Sequence, residues 1–155
     1  LHDLAEPDWR EIWTRTVDVN LTGPAHVIAG ALPWLEQAGG GHIVNISSRG
    51  AYRGEPRAPA YGASKAGLNA LSQSLAQALA PRGIVVVGVA PGWVHTDMTA
   101  SYLDGPEGDG IRAQSPAGRV ATAREVAEVV LLAVSGRADA LQGAIIDVNC
   151  ASHLR

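Results

Sequence analysis

The run Ile84-Val-Val-Val-Gly-Val-Ala90 constrains this chain more than any other stretch. It is short, continuous and β-branched, with no polar residue to turn towards water. A strand with one wet face alternates apolar and polar residues, and a membrane helix needs about 20 apolar residues in a row. This run does neither. It reads as a strand buried on both faces, and such strands belong in parallel sheets covered by helices.

The remaining sequence offers the elements such a sheet requires. From Asp8 to about Leu35, Ile12, Trp13, Val17, Leu21, Ala25 and Ile28 recur at three- and four-residue steps, which predicts a helix. Pro7 and Asp8 suit its start. Gly23-Pro24 predicts a kink, because proline lacks an N–H and crowds the preceding turn. Gly39-Gly40-Gly41 ends the segment, and His42 to Ser47 reads as a strand centred on Ile43, Val44 and Ile46. Ser48 to Pro59 reads as a loop. A second helix is predicted from about Ala60 to Ala80, with Leu68, Leu71, Leu75 and Leu79 on one face. Alanines crowd its other face, which suits close packing. Beyond the central strand, Pro91 to Val120 is polar and Gly-rich, and a connection that long is functional or mobile. Thr122 and Glu125 form a capping-box pattern for a helix running to about Ser135 through Val126, Val129, Val130 and Ala133. Ala144 to Val148 reads as the last strand. Helix and strand thus alternate three times, the order of an α/β fold with three parallel strands joined by helical crossovers.

Composition excludes several function classes. The 12 Lys and Arg are scattered and the net charge is −3, so no nucleic-acid surface is expected. The one cysteine, Cys150, cannot form an internal disulfide and suits a reducing compartment. No apolar run spans a membrane and no signal peptide is visible, so the expected location is cytoplasmic, with no membrane partner. At 46% apolar and 17% charged residues the chain should bury a core.

In an open parallel sheet, ligands bind outside the carboxyl ends of the strands. Ser47-Ser48 leaves the first strand there, and Pro91-Gly92-Trp93-Val94 leaves the second. Tyr61 and Lys65, four apart, share a helix face between them. A free phenol, with a pKa near ~10, is a poor base at neutral pH. A neighbouring cation favours the phenolate. Ser48 could hold a substrate oxygen nearby, so the group suits proton transfer to or from a hydroxyl or carbonyl. A Tyr and a Lys four apart also occur on ordinary solvated helix faces, and an Asn inside a helix is usually a surface residue. The fixed spacing of the whole set is what carries the reading. His95 and Asp97 lack a third ligand at metal-binding spacing and read as solvated loop residues, so no metal is expected. Trp9, Trp13, Trp34 and Trp93 read as packing residues, with Trp93 also able to shape a pocket. Tyr52 and Tyr102 are candidates for a pocket rim.

Tyr61-Gly-Ala-Ser-Lys65 resembles the Tyr-x-x-x-Lys motif of the short-chain dehydrogenase/reductase family. Gly41-His-Ile-Val-Asn-Ile-Ser-Ser48 is similar to that family's strand ending in its catalytic Ser. Ser48 lies 13 residues before Tyr61, the usual spacing, with Ser47 as the alternative. Val19-Asn20-Leu21-x-Gly23 resembles the helix carrying the family's Asn. Ala90-Pro91-Gly92-x-Val94-x-Thr96 resembles its Pro-Gly segment, and Gly118-Arg119 with the Glu125-Val126-Ala127 helix fits its C-terminal part. The resemblance covers nearly the whole chain and implies the C-terminal part of a doubly wound, Rossmann-like sheet. It implies an NAD- or NADP-dependent oxidoreductase interconverting a secondary alcohol and a ketone. Tyr61 would be the general acid/base. Lys65 would bind the nicotinamide ribose and favour the Tyr61 phenolate. Ser48 would hydrogen-bond the substrate oxygen. Asn20 would hold a water linking Lys65 to solvent. Pro91, Gly92, Val94 and Thr96 would line the nicotinamide, with the Val94 backbone at its carboxamide. The segment from Thr96 to Val120 would set the choice of alcohol or carbonyl substrate. The compact branch of the family fits better than the sugar-nucleotide branch, because only 90 residues follow Lys65.

The sequence departs from the family in two places. The Gly-rich turn, the residue that selects NAD or NADP and an Asn-Asn-Ala-Gly segment are absent. Together with a start at Leu1 that reads like the middle of a protein, this gives residues 1–155 as one incomplete domain lacking its N-terminal dinucleotide-binding half. The first strand would then present an apolar edge, and the isolated chain is expected to be insoluble unless a partner covers it. A longer parent would be a homo-oligomer, pairing through the helices at 8–35 and 60–80. The alternative is a truncated, non-catalytic remnant serving as an interaction module. The second departure is Cys150-Ala151, which stands where the family often has Gly-Gly.

Overall fold

The computed structural model describes residues 7–155. Helix α1 (Trp9–Val17) runs into a π-helical segment (Asp18–Thr22) and then helix α2 (Gly23–Gln37). Strand β1 (Gly41–Ile46) leads through a short helix α3 (Gly50–Arg53) to the long helix α4 (Pro59–Leu79). Strand β2 (Ile84–Pro91) is followed by a two-residue strand β3 (Val94–His95) and helices α5 (Asp97–Leu103) and α6 (Gly108–Arg112). A second short strand β4 (Ala121–Thr122) precedes helix α7 (Ala123–Val134), and strand β5 (Ile145–Val148) comes last.

The main sheet has the order β1-β2-β5, all parallel, with α4 and α7 as the crossovers. β2 is central and almost wholly inaccessible: Ile84, Val86, Val89 and Ala90 are each 0% exposed. Full burial of such a side chain contributes roughly 1.5–3 kcal/mol, so this strand is a main source of hydrophobic stabilisation. Ala76 and Leu79 of α4 pack with Ile84 and Val86, and Leu32, Leu35, Ile43 and Leu75 close the cluster. Gly88 interrupts the aliphatic run for a packing reason. A Cβ there would lie 2.4 Å from Cδ1 of Ile145 on β5.

The helix predicted over 8–35 is present, and its apolar stripe is half-buried, with Ile28 buried. The kink expected at Gly23-Pro24 takes the form of the π segment. Pro24 has no N–H for the carbonyl of Asn20, four residues back. The Gly23 N–H instead reaches five residues back, to the Asp18 carbonyl, and the helix gains a residue in that turn. Trp34 departs from its expected packing role: it is 73% exposed on α2.

Two segments expected to lack regular structure contain short helices. The Ser48–Pro59 loop includes α3, and Pro91–Val120 includes β3, α5 and α6. β3 pairs in parallel with β4, so the long connection is tied back on itself by a small second sheet. α7 begins with the expected capping box, in which the Glu125 N–H donates to Thr122 Oγ1 while the Glu125 carboxylate accepts from the Thr122 N–H. No described helix is long and apolar enough to cross a membrane.

Candidate active site

The geometry starts with the way α4 is held on β1. Asn45, buried on β1, donates from Nδ2 to Ser72 Oγ at 2.9 Å. Two turns nearer the start of α4, Ser47 Oγ donates to the Lys65 carbonyl at 3.2 Å. Lys65 Nζ in turn donates to the Ile46 carbonyl at 2.8 Å. These bonds tie one face of α4 to the strand and fix the rotation at which its first turns meet the strand's carboxyl end.

Tyr61 and Lys65 occupy those first turns. Lys65 Nζ lies 5.8 Å from the centre of the Tyr61 ring, within reach of a cation–π attraction. The Tyr61 hydroxyl has no hydrogen-bond partner among the described residues. Burial pushes the Lys65 amine below its ordinary pKa, because a low-dielectric surrounding disfavours the cation. The Ile46 carbonyl takes one ammonium N–H, and the others are available to a ligand.

The two adjacent serines have different surroundings. Ser47 is 4% exposed and its hydroxyl is committed to the α4 backbone. Ser48 Oγ accepts from the Gly50 N–H at 3.0 Å, so its own proton can be given to another oxygen. Asn20 sits in the π segment and donates from Nδ2 to Ser64 Oγ at 3.2 Å, while Ser64 Oγ donates to the Tyr61 carbonyl at 2.8 Å. Its side chain therefore reaches the start of α4 through Ser64, and no direct bond joins it to Lys65. Ser64, 1% exposed, was not singled out from the sequence. Its place one residue before Lys65 was the available signal.

The Pro-Gly segment lies beside the serines. The Arg49 N–H donates to the Pro91 carbonyl at 2.8 Å, and the Gly92 N–H to Val148 at 3.0 Å. Val94 begins β3, and its carbonyl accepts from the Thr99 hydroxyl. Thr96 caps α5, with its hydroxyl against that of Thr99 at 3.2 Å. No hydrogen bond joins Val94 or Thr96 to Tyr61 or Lys65. Trp93 packs against Tyr102 with ring centres 5.9 Å apart. Tyr52 instead stacks on His153 and carries Arg155 over its ring, at 4.1 Å. His95 Nε2 lies 3.3 Å from Asp104. Among the described residues no three His, Cys, Asp or Glu side chains gather as a metal site would require.

A family profile described as enoyl-(acyl carrier protein) reductase matches residues 3–153. The 3-oxoacyl-(acyl-carrier-protein) reductase FabG of Aquifex aeolicus (strain VF5) is 40% identical over 142 residues, which span 92% of this chain and 55% of that protein. A short-chain type dehydrogenase/reductase from Mycobacterium ulcerans superposes with a TM-score of 0.86 at 30% identity, over 90% of this chain and 51% of that one. A protein from Agrobacterium tumefaciens solved with bound NADP gives a TM-score of 0.85 at 32% identity, over 90% and 58%. The chain spans little more than half the length of the relatives it matches.

Proposed function

Because the chain belongs to the short-chain dehydrogenase/reductase family, we propose that it carries the proton-transfer and nicotinamide side of an NAD(P)-dependent reaction between a secondary alcohol and a ketone. The observation that carries this reading is the pairing of Tyr61 and Lys65 on one face of α4, tied to the strand end that bears Ser48. Ser48, which accepts from Gly50, donates its proton to the substrate oxygen. Tyr61 is the general acid that gives a proton to the same oxygen as charge develops there, and the general base in the reverse direction. The ammonium of Lys65 lies 5.8 Å from the centre of the phenol ring. Asn20 and Ser64 hold the first turn of α4 through the Tyr61 carbonyl.

The residues present fit the nicotinamide part of a dinucleotide. Lys65 retains N–H donors for ribose hydroxyls, and Pro91 ends β2 with Gly92, Val94 and Thr96 just beyond it, where such ligands bind in open sheets. The bound cofactor supplies the hydride. The sequence holds no Gly-rich turn for the pyrophosphate, and β1 is an edge of the described sheet, open to a further strand. We take residues 1–155 as part of one domain whose dinucleotide-binding half lies outside this sequence. The same observation supports a second reading, a non-catalytic chain that acts as an interaction module.

Binding of NADH and NADPH, followed by quenching of tryptophan fluorescence, separates the two. Trp93, next to Gly92, is the reporter. Saturable binding that weakens in Lys65→Ala and persists in Tyr61→Phe is the expected result. Absence of saturable binding overturns the enzymatic reading for this chain and leaves the interaction module. Self-association is part of the proposal: Ala63, Ala66 and Ala70 of α4, and Val27 and Trp34 of α2, are exposed. Sedimentation of Ala70→Arg beside the parent chain tests it, and an unchanged monomer in both would refute it. The proposed location is the cytoplasm, and a reporter fusion found elsewhere would overturn that.

A further inference from the structure

Arg49, the residue after Ser48, is 4% exposed. A guanidinium cannot shed its charge in a protein, so a buried one is ordinarily met by a carboxylate. Among the described residues no carboxylate lies within ion-pair distance of Arg49. Its Nη2 donates to Gln114 Oε1 at 2.6 Å, and its Nη1 is buried with no acceptor. Arg53, one turn further along α3, donates from Nη1 to the same oxygen at 3.2 Å. One neutral amide oxygen therefore joins two cations. Ser152 Oγ, which lines the same narrow cleft as Arg49, is also buried without a partner. The other charges around Arg49 do not remove the imbalance. Glu55 acts on it from a distance, Arg53 repels it, and Arg119 in the cleft is held by Glu125 at 2.7 Å. Desolvation and Arg53 both push the Arg49 pKa down, as expected for a cation short of an anionic neighbour.

The amide that occupies this position reaches it from the surface. Gln114 lies on the exposed surface of the turn that follows α6, and Arg53 is exposed as well. A carboxylate in place of the amide would bring a second oxygen and a negative charge to two guanidinium groups, the planar arrangement in which arginine binds carboxylates best.

We propose that Arg49 and Arg53 form a carboxylate-recognition site at the start of α3, next in sequence to Ser48 and closed by Gln114 in the absence of ligand, and that the substrate is an oxo acid or the corresponding hydroxy acid. The class of substrate rests on the reading of Ser48 and Tyr61 above; the anion site does not.

The test is calorimetric titration of the 155-residue chain, in soluble form and with a cooperative thermal melt, with butyrate and with butyramide, without cofactor. Butyrate is expected to bind and butyramide not. Arg53→Gln, an exposed change, should weaken butyrate by about tenfold or more, since hydrogen bonds between charged groups are being lost. Gln114→Glu should raise the Tm and abolish butyrate binding, because its own carboxylate fills the place. Equal binding of acid and amide, no binding of either, or a Gln114→Glu chain with unchanged Tm and butyrate affinity overturns the site. A second arm compares pyruvate, acetoacetate and 4-oxopentanoate with the matching acids that lack the oxo group. For a substrate site, the oxo group strengthens binding at one chain length and Ser48→Ala removes only that increment. Butyrate binding with no oxo increment at any length overturns the substrate assignment alone. Loss of NADPH binding with butyrate binding intact would count against the enzymatic reading and leave the anion site standing.

Discussion

Ala151 offers a measurement of backbone strain in this chain. Cys150 and Ala151 follow β5 with φ of 52° and 59°, both in the left-handed region. For a residue with a Cβ, that conformation costs roughly 1–2 kcal/mol. Glycine avoids the clash but loses about 0.4–1 kcal/mol through the greater freedom of its unfolded chain. Ala151 is exposed, so its methyl contributes little burial. Ala151→Gly should therefore stabilise by about 0.5–1 kcal/mol, which for a chain of this size raises Tm by about 1–4 °C. Urea unfolding should show a higher midpoint with an unchanged slope, the mark of altered stability alone. Gly54 is the converse control. It has φ 75° and ψ 158°, a conformation essentially confined to glycine, and nothing within 4 Å of an added Cβ, so Gly54→Ala should destabilise by about 1–3 kcal/mol through backbone strain without steric conflict. An Ala151→Gly chain no more stable than the parent, beside a Gly54→Ala chain that does lose stability, would refute the reasoning at 151.

Three further outcomes follow from the same structure. The Glu125 carboxyl is held at about 2, below its ordinary 4.5, first by hydrogen bonds from Arg119 and then by those from Thr122. Its contribution is therefore complete above pH 4.5 and is lost as pH falls towards about 2, so Glu125→Gln should lower stability at pH 7 and flatten the acid limb of a Tm-versus-pH curve. Gly30 is helical on α2 with nothing within 4 Å of an added Cβ, so Gly30→Ala should stabilise by about 0.5–1 kcal/mol in thermal melts. Ser72→Ala strips the buried Asn45 amide of its acceptor and should cost about 1–3 kcal/mol in urea unfolding; an unchanged midpoint would refute this.

Much of the frame was legible because the relevant signals are local. The β-branched run at 84–90 can satisfy itself only as a covered strand, and Thr122 with Glu125 announces α7 through hydrogen bonds made within a single turn. The spacing of Ser48, Tyr61 and Lys65 singled out the residues of the proposed site. What escaped depends on partners far away in sequence. α3 and α6 have four and five residues, too few to nucleate alone, and exist where the fold holds them. The π segment is written in Pro24, but a missing N–H alone does not say whether the chain bends or inserts a residue. Trp34 gave no sign of being left exposed. Arg49 looked like any loop arginine, because its burial is made by residues some 65 positions later, around Gln114.

The attachment of α4 to β1 behaves like a toothed coupling. Apolar side chains can slide past one another by fractions of an ångström, whereas the bonds from Asn45 to Ser72, Ser47 to Lys65 and Lys65 to Ile46 each have a single register. Heating, or variation among the leucines of α4, therefore changes how firmly the helix is held before it changes where Tyr61 points. Loss of that alignment should come as a step, when a tooth disengages, and sequence drift in the core can proceed for some distance without reaching the chemistry.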